Sequence, residues 1–149
     1  RPGSGASGGL GSGFAALLGG TLLPRYQVVT QYLDIDGLIE QSDLVVTAEG
    51  MLDDRTPLGK VPVEVARRAR KRGVPVIALA GSIGSGVNVN FEHGIDAFTS
   101  ILERPCTLEE AIHQAGPLLT RAAEDALRMI GVGLAIAGGG RVHRALAAT

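Results

Sequence analysis

The sequence lacks tryptophan, has few other aromatic residues and contains one cysteine, Cys106, among 149 residues. One cysteine excludes an internal disulfide and a multi-cysteine zinc site, and it favours a reducing, cytoplasmic setting. The net charge of −1 offers no general attraction for nucleic acid, whose binding needs many phosphate-neutralising Lys and Arg. No apolar run approaches the about 20 residues of a membrane span. The sequence therefore predicts a protein that binds neither nucleic acid nor membrane.

Glycine, by contrast, is abundant, and much of the excess over the usual share is clustered. The first cluster, residues 3–13 (GSGASGGLGSG), is too glycine-rich for a regular element and predicts a loop. It contains a formal G-x-G-x-x-G, but no strand precedes it, so an NAD-dependent oxidoreductase is poorly supported. The loop can bind an anion through backbone N–H groups and the hydroxyls of Ser4 and Ser7, or act as a linker. Because the chain begins at Arg1 inside this loop, we expect upstream residues to be missing.

From residue 43 onward, apolar runs alternate with helical patterns. The predicted strands are residues 44–47, 74–80 and 97–101. The predicted helices are residues 62–72 and a long one that starts after Thr107, is capped by Thr107 with Glu110, and kinks at Pro117. This alternation predicts an α/β fold: a parallel, Rossmann-like or flavodoxin-like sheet with flanking helices. Residues 131–149 have no assignment.

Ligands of parallel sheets bind beyond the carboxyl ends of the strands, where the sequence places an acidic loop, residues 48–59. One or two of the carboxylates in this loop, Glu49, Asp53 and Asp54, suit Mg²⁺ and the orientation of a hydroxyl acceptor, as phosphoryl transfer requires. The alternative is that these are solvated carboxylates or helix caps. The three histidines are too scattered to predict a metal site.

Two further features of this edge suit phosphate. Lys60 is predicted at a helix N-terminus, where a cation opposes the helix dipole and a bound anion would remove that cost. A plain surface lysine is the alternative. Gly81 and Ser82 open a glycine loop, residues 81–86, which is placed for ligand contact or forms a tight turn. The basic run at residues 67–72 is interpreted as a solvated helix face.

Four blocks of the sequence read GSGASGGLGSG, DLVVTAEGMLDDRTPLGKVPVEVA, VPVIALAGSIG and HGIDAFTSI. In their order and spacing, these blocks resemble the C-terminal portion of the type-2 glycerate kinases. The resemblance covers about residues 2–130. The acidic block of the family usually reads GEGRLD, so Ala48 and Met51 depart from it. The positions that match the family are Glu49, Gly50, Leu52, Asp53, Thr56, Gly59 and Lys60.

The resemblance implies ATP-dependent phosphorylation of D-glycerate with Mg²⁺ by a two-domain enzyme. Residues 1–42 would end an inserted domain, and residues 43–130 would be the C-terminal part of a flavodoxin-like domain. The implied catalytic residues are Glu49, Asp53 and Lys60, with Glu49 and Asp53 on the metal. The implied substrate and phosphate ligands are Ser4, Gly5, Ser7, Gly8, Gly9, Thr56, Gly81 and Ser82.

The family is far longer than this chain, so the chain alone is expected to be inactive. A second hypothesis stays open from the residues. In it the chain is a non-catalytic module that binds a nucleotide or an acid weakly, or assembles as a homo-oligomer.

Overall fold

The computed structural model describes residues 3–138, without the side chains of Arg25, Thr30 and Gln31. The chain divides into two compact units, one ending at Ser42 and one beginning at Asp43. Residues 3–138 contain no helix that is both long enough and apolar enough to cross a bilayer.

The first unit is helical. Its helices are α1 (Leu10–Leu17), α2 (Arg25–Tyr32) and α3 (Ile35–Glu40). The prediction that all of residues 3–13 form a loop is wrong, because α1 begins at Leu10 and includes Gly11 and Gly13. Each helical glycine costs only about 1 kcal/mol relative to alanine, and the hydrogen bonds of the helix outweigh that cost here. Gly9, with φ 92°, makes the sharp entry into α1.

The second unit is built on three parallel strands in the order β1-β2-β3. The strands are β1 (Val45–Leu52), β2 (Val76–Ile83) and β3 (Ala97–Ser100), and the helices are α4 (Val61–Arg70), α5 (Val89–Glu92), α6 (Leu108–His113) and α7 (Ala115–Ala137). The predicted α/β class with a parallel sheet and flanking helices is confirmed. α4 packs against β1 and β2, and its Val63, Ala66 and Ala69 are fully buried.

Both β1 and β2 run beyond their predicted ends. β1 continues past residue 47 to Leu52, and β2 continues past residue 80 to Ile83. The cause is pairing: residues 48–52 of β1 face β2 in register, with Glu49 opposite Ala80. Glu49, Gly81 and Ser82 therefore lie on strands and not in loops, which corrects the predicted loop boundaries at 48 and 81.

The predicted long helix after Thr107 is two helices. α6 ends at His113 and α7 begins at Ala115. Inside a continuous helix the ring of Pro117 would collide with the carbonyl of His113, so the chain restarts and places Pro117 in the first turn of α7. α7 then continues to Ala137, which makes residues 131–137 of the unassigned tail helical. Residues 139–149 lie outside the described residues.

The predicted capping box at the start of α6 is confirmed. Thr107 Oγ1 accepts a hydrogen bond from the Glu110 N–H at 3.2 Å, and Glu110 Oε2 accepts one from the Thr107 N–H at 2.9 Å. Thr107→Ala removes the acceptor and should lower the free energy of unfolding by about 1 kcal/mol, measured by urea denaturation. Thr107→Ser keeps the hydroxyl and should retain most of the stability. Equal losses in the two variants would contradict the role of the hydroxyl.

Candidate active site

The segment after β1 folds into a tight turn around Asp53. Oδ1 of Asp53 accepts hydrogen bonds from the Arg55 N–H at 3.1 Å, the Thr56 hydroxyl at 3.1 Å and Lys60 Nζ at 3.2 Å. The Asp53 N–H in turn donates to Thr56 Oγ1 at 3.0 Å, and Thr56 is fully buried. The 3-10 turn Thr56–Leu58 ends at Gly59, whose φ of 110° reverses the chain. The turn thereby brings Asp53, Thr56 and Lys60 together, three of the residues predicted for the site.

Lys60 lies directly before α4, as predicted, and points back to the end of β1. Its Nζ donates to the Met51 carbonyl at 2.8 Å as well as to Asp53. The side chains of Lys60 and Asp53 are 32% and 16% exposed, so the ion pair is accessible from solvent. An incoming anion would therefore meet a cation that is already shared with a carboxylate.

The pKa of Asp53 lies below its ordinary value of 3.8. Desolvation acts to raise the pKa, but it is outweighed by the hydrogen bonds from Lys60 and Thr56, the charge of Lys60 and the Arg55 N–H. The carboxylate is accordingly ionised at neutral pH. Its described hydrogen bonds all use Oδ1, so within residues 3–138 the Oδ2 atom stays open to a ligand.

This lowered pKa predicts a specific loss of stability in acid. The contribution of ionised Asp53 is fully present at pH values well above 3.8, the ordinary pKa of the group, and disappears as the pH falls through the lower pKa of the folded protein. The difference in free energy of unfolding between wild type and Asp53→Asn should therefore shrink between about pH 5 and pH 2, measured by urea denaturation. Lys60→Met removes the charged partner of the Asp53 carboxylate and should likewise reduce the pH dependence of the free energy of unfolding. A difference that does not change with pH would contradict the assignment.

The loop after β2 forms hydrogen bonds with the main chain of the turn around Asp53. The Gly84 N–H donates to the Leu52 carbonyl at 2.7 Å, and the Asp54 N–H donates to the Ser85 carbonyl at 3.1 Å. A Cβ at position 84 would lie 2.9 Å from Cβ of Asp53, so the approach requires glycine. Residues 84–86 of the predicted ligand loop are thus packed against the acidic turn.

Asn90 is the residue of this site that the sequence did not predict. It is fully buried, and its Nδ2 donates to the Asp53 carbonyl at 3.0 Å. An asparagine between apolar residues in the run VNVNFE was the available signal, and it could equally indicate a turn.

A cavity of about 550 Å³ opens at the same edge of the sheet. Its polar wall is formed by Glu49, Ser82 and Thr107, and its apolar wall by aliphatic side chains of β2, α6, α7 and the segment after β3. Glu49 thus lies with Gly81 and Ser82 on the cavity, whereas Asp53 lies in the turn. The Cα atoms of Glu49 and Asp53 are four positions apart along extended chain, which corresponds to about 13 Å.

The distance between Glu49 and Asp53 decides whether both carboxylates can bind the same Mg²⁺ ion. Residues 3–138 contain no group of three or more His, Cys, Asp or Glu placed to hold a metal ion. Mg²⁺ commonly takes one or two carboxylates and completes its shell with water and phosphate oxygens, so a single carboxylate fits it. Asp53, through Oδ2, meets this requirement, and direct binding of the same ion by Glu49 would have to span the extended segment between them.

The remaining predicted ligands lie in the first unit. Ser4 and Gly5 precede a kinked 3-10 helix, Ala6–Gly9, which contains Ser7, Gly8 and Gly9 and leads into α1. Inside it, Ser7 has a left-handed backbone with φ 53°. Such a conformation in a serine costs of order 1 kcal/mol, and such strain clusters at ligand sites. Within the described residues, a Cβ at Gly5, Gly8 or Gly9 would meet open space, so the loop is accessible to an anion.

The glycerate kinase family model matches residues 1–131. The chain is 46% identical over 124 residues to a glycerate kinase of Halalkalibacterium halodurans, and 39% identical over 137 residues to a glycerate 2-kinase of Escherichia coli. A crystal structure described as a glycerate kinase 2 from Salmonella typhimurium LT2 superposes with a TM-score of 0.65 at 35% identity.

These matches cover most of the chain but a smaller part of each relative. They cover 83%, 92% and 89% of this chain, and 33%, 36% and 33% of the three proteins. The chain therefore spans about a third of the length of the relatives it matches.

Proposed function

Because this chain belongs to the glycerate kinase family, we propose that it forms the C-terminal part of an enzyme that phosphorylates D-glycerate to phosphoglycerate with ATP and Mg²⁺. The observation that carries the proposal is the turn after β1. It holds an ionised carboxylate, Asp53, with one oxygen open to a ligand, beside the accessible ammonium of Lys60. Phosphoryl transfer depends mainly on positioning and on neutralisation of charge, and these two groups supply both.

Asp53 is proposed to orient the acceptor hydroxyl of glycerate or to hold Mg²⁺ through Oδ2. A carboxylate whose pKa is lowered is a weak base at neutral pH, so Asp53 is better matched to orientation or metal binding than to storing the proton. Bound Mg²⁺ would neutralise charge on the phosphate oxygens of ATP. Lys60 would add its positive charge where negative charge develops on the transferred group.

The cavity lined by Glu49 and Ser82 is proposed to take the apolar part of the nucleotide. D-Glycerate is small and wholly polar, so it does not match a wall of aliphatic side chains, whereas a purine with its ribose does. The volume of about 550 Å³ lies within the usual range of ligand pockets. Glu49 and Ser82, on the polar wall, can hydrogen-bond ribose hydroxyls, as acidic residues do in other parallel-sheet nucleotide sites.

The glycine-rich loop of the first unit is proposed to bind phosphate oxygens. Its candidate donors are the N–H groups around Ser7, Gly8 and Gly9, ahead of the N-terminus of α1. Successive backbone N–H groups in such conformations form concave anion sites, and the helix dipole adds to the attraction.

The test is glycerate-dependent formation of ADP by the full-length protein that carries this chain, with the phosphorylated product identified by mass spectrometry. We expect turnover that requires D-glycerate and Mg²⁺. Absence of glycerate-dependent ADP formation above the glycerate-free rate would overturn the proposal. Calorimetric binding of Mg-ATP without any turnover would instead support the alternative of a non-catalytic nucleotide-binding module.

A further inference from the structure

We infer that Asn90 is a positioning residue, whose buried amide fixes the main chain of Asp53 and thereby the direction of its carboxylate. The effect on catalysis rests on the proposed glycerate kinase activity, while the effect on the turn does not. Asn90 lies in the short helix α5, and its contact with Asp53 joins residues 37 positions apart in the sequence.

Within the described residues, the side-chain amide of Asn90 forms hydrogen bonds through Nδ2 and none through Oδ1. Nδ2 donates to the Asp53 carbonyl at 3.0 Å and to the Val87 carbonyl at 2.6 Å. Oδ1 is buried, and it finds no hydrogen-bond partner within the described residues. A buried acceptor without a partner reduces stability, and a leucine of similar size would avoid that cost. An asparagine is therefore a poor choice for packing, and its value lies in the two bonds from Nδ2.

These bonds complete the support of the acidic turn. Gly84 and Ser85 hold the main chain on either side of Asp53 through hydrogen bonds to Leu52 and Asp54. Asn90 supplies the donor to the carbonyl of Asp53 itself. The side chain of Asp53 is then set by Thr56 and Lys60. Without Asn90, the Cα of Asp53 can shift, and its carboxylate shifts with it.

A small shift of this kind has a large kinetic effect. Misplacement of a reacting group by about 1 Å can cost on the order of 100-fold in rate, even when the altered residue touches no substrate. The contacts proposed for the base and ribose in the cavity do not involve Asn90, because Asn90 does not line the cavity.

The test compares Asn90→Leu with Asn88→Leu in the full-length protein. Asn88 is exposed, and among the described contacts its side chain makes no capping bond to α5, so it provides the same exchange without the contact. For Asn90→Leu we expect kcat about 10- to 100-fold lower, with KM for ATP within about twofold of wild type. Exchange of the Asp54 and Lys60 amide hydrogens should be at least about tenfold faster, while the amides of β2 keep their protection. Asn88→Leu should leave all of these quantities unchanged.

Three results would overturn the inference. One is an Asn90→Leu protein with unchanged kcat and unchanged exchange at Asp54. Another is faster exchange across β2 in parallel with the loss of kcat, which would indicate a general structural role. The third is rapid solvent exchange of the Asn90 side-chain amide hydrogens in the wild-type protein. This measurement needs no variant, so it decides the question even if Asn90→Leu fails to fold. If wild type has no glycerate kinase activity, the proposed function fails, and the exchange measurements still decide the role of Asn90.

Discussion

Asp53→Asn is expected to lower kcat for glycerate phosphorylation by about 100- to 1,000-fold, the usual cost of removing one preorganised group from a charged transition state. The variant keeps the size of the side chain and one oxygen that can accept from Lys60, Thr56 and Arg55. Because that oxygen stays with these donors, the amide nitrogen takes the place of Oδ2. The ligand then meets a hydrogen-bond donor where it requires a negatively charged acceptor.

Asp54 offers a matched control for this change. It is the next residue, it is also a carboxylate, and its side chain is exposed beside the same turn. Asp54→Asn should change kcat by no more than about twofold, since exposed substitutions away from bound groups have small effects. The measurement is steady-state kinetics with D-glycerate and Mg-ATP, with circular dichroism to confirm the fold. A kcat for Asp53→Asn within threefold of wild type would remove Asp53 from the proposed mechanism.

Gly81→Ala is expected to destabilise the sheet by about 2–3 kcal/mol, at the upper end of the cost of overpacking. A Cβ at Gly81 would lie 2.6 Å from the carbonyl oxygen of Gly50 on the neighbouring strand. That oxygen belongs to the backbone of β1, so it cannot move aside as a flexible side chain would. The strands must separate at the edge that carries Glu49 and Ser82.

Thermal unfolding measures this effect directly. A loss of that size lowers the Tm by roughly 5–10 °C for a protein of about 150 residues. Gly50→Ala is the control, because within the described residues a Cβ at that position meets no atom within 4 Å. Its Tm should stay within about 2 °C of wild type. Similar Tm losses in both variants would show that glycine at 81 is not required by the close approach.

The sequence predicted the sheet well and the strand ends poorly, for a physical reason. Continuous apolar runs such as residues 74–80 are typical of strands that are covered on both faces, and the parallel sheet follows from their alternation with helices. The ends of β1 and β2 contain glycine and polar residues, which by composition indicate loops. Hydrogen bonds between the strands extend the sheet there, and this tertiary effect overrides local propensity.

The candidate site was predictable in its parts but not in its contacts. Asp53, Thr56 and Lys60 were each predicted, and the turn that joins them was not. Its geometry depends on the left-handed backbone of Gly59 and on the reversal of the chain into α4. Asn90 was not predicted, because its partner lies 37 positions away in the sequence, and an asparagine between apolar residues indicates a turn as readily as a buried contact.

The pairing of Lys60 with Asp53 also bears on how the site behaves between reactions. An unpaired lysine would bind inorganic phosphate, sulfate or phosphorylated product that has not been released. The most concentrated of these anions would then occupy the site. Here the carboxylate competes with every such anion for the same ammonium, at 3.2 Å. In the proposed enzyme, a simple anion gains little by binding, whereas a ligand that brings its own cation can satisfy both groups at once. The ion pair would then weaken the binding of free phosphate at Lys60, and with it inhibition by phosphate.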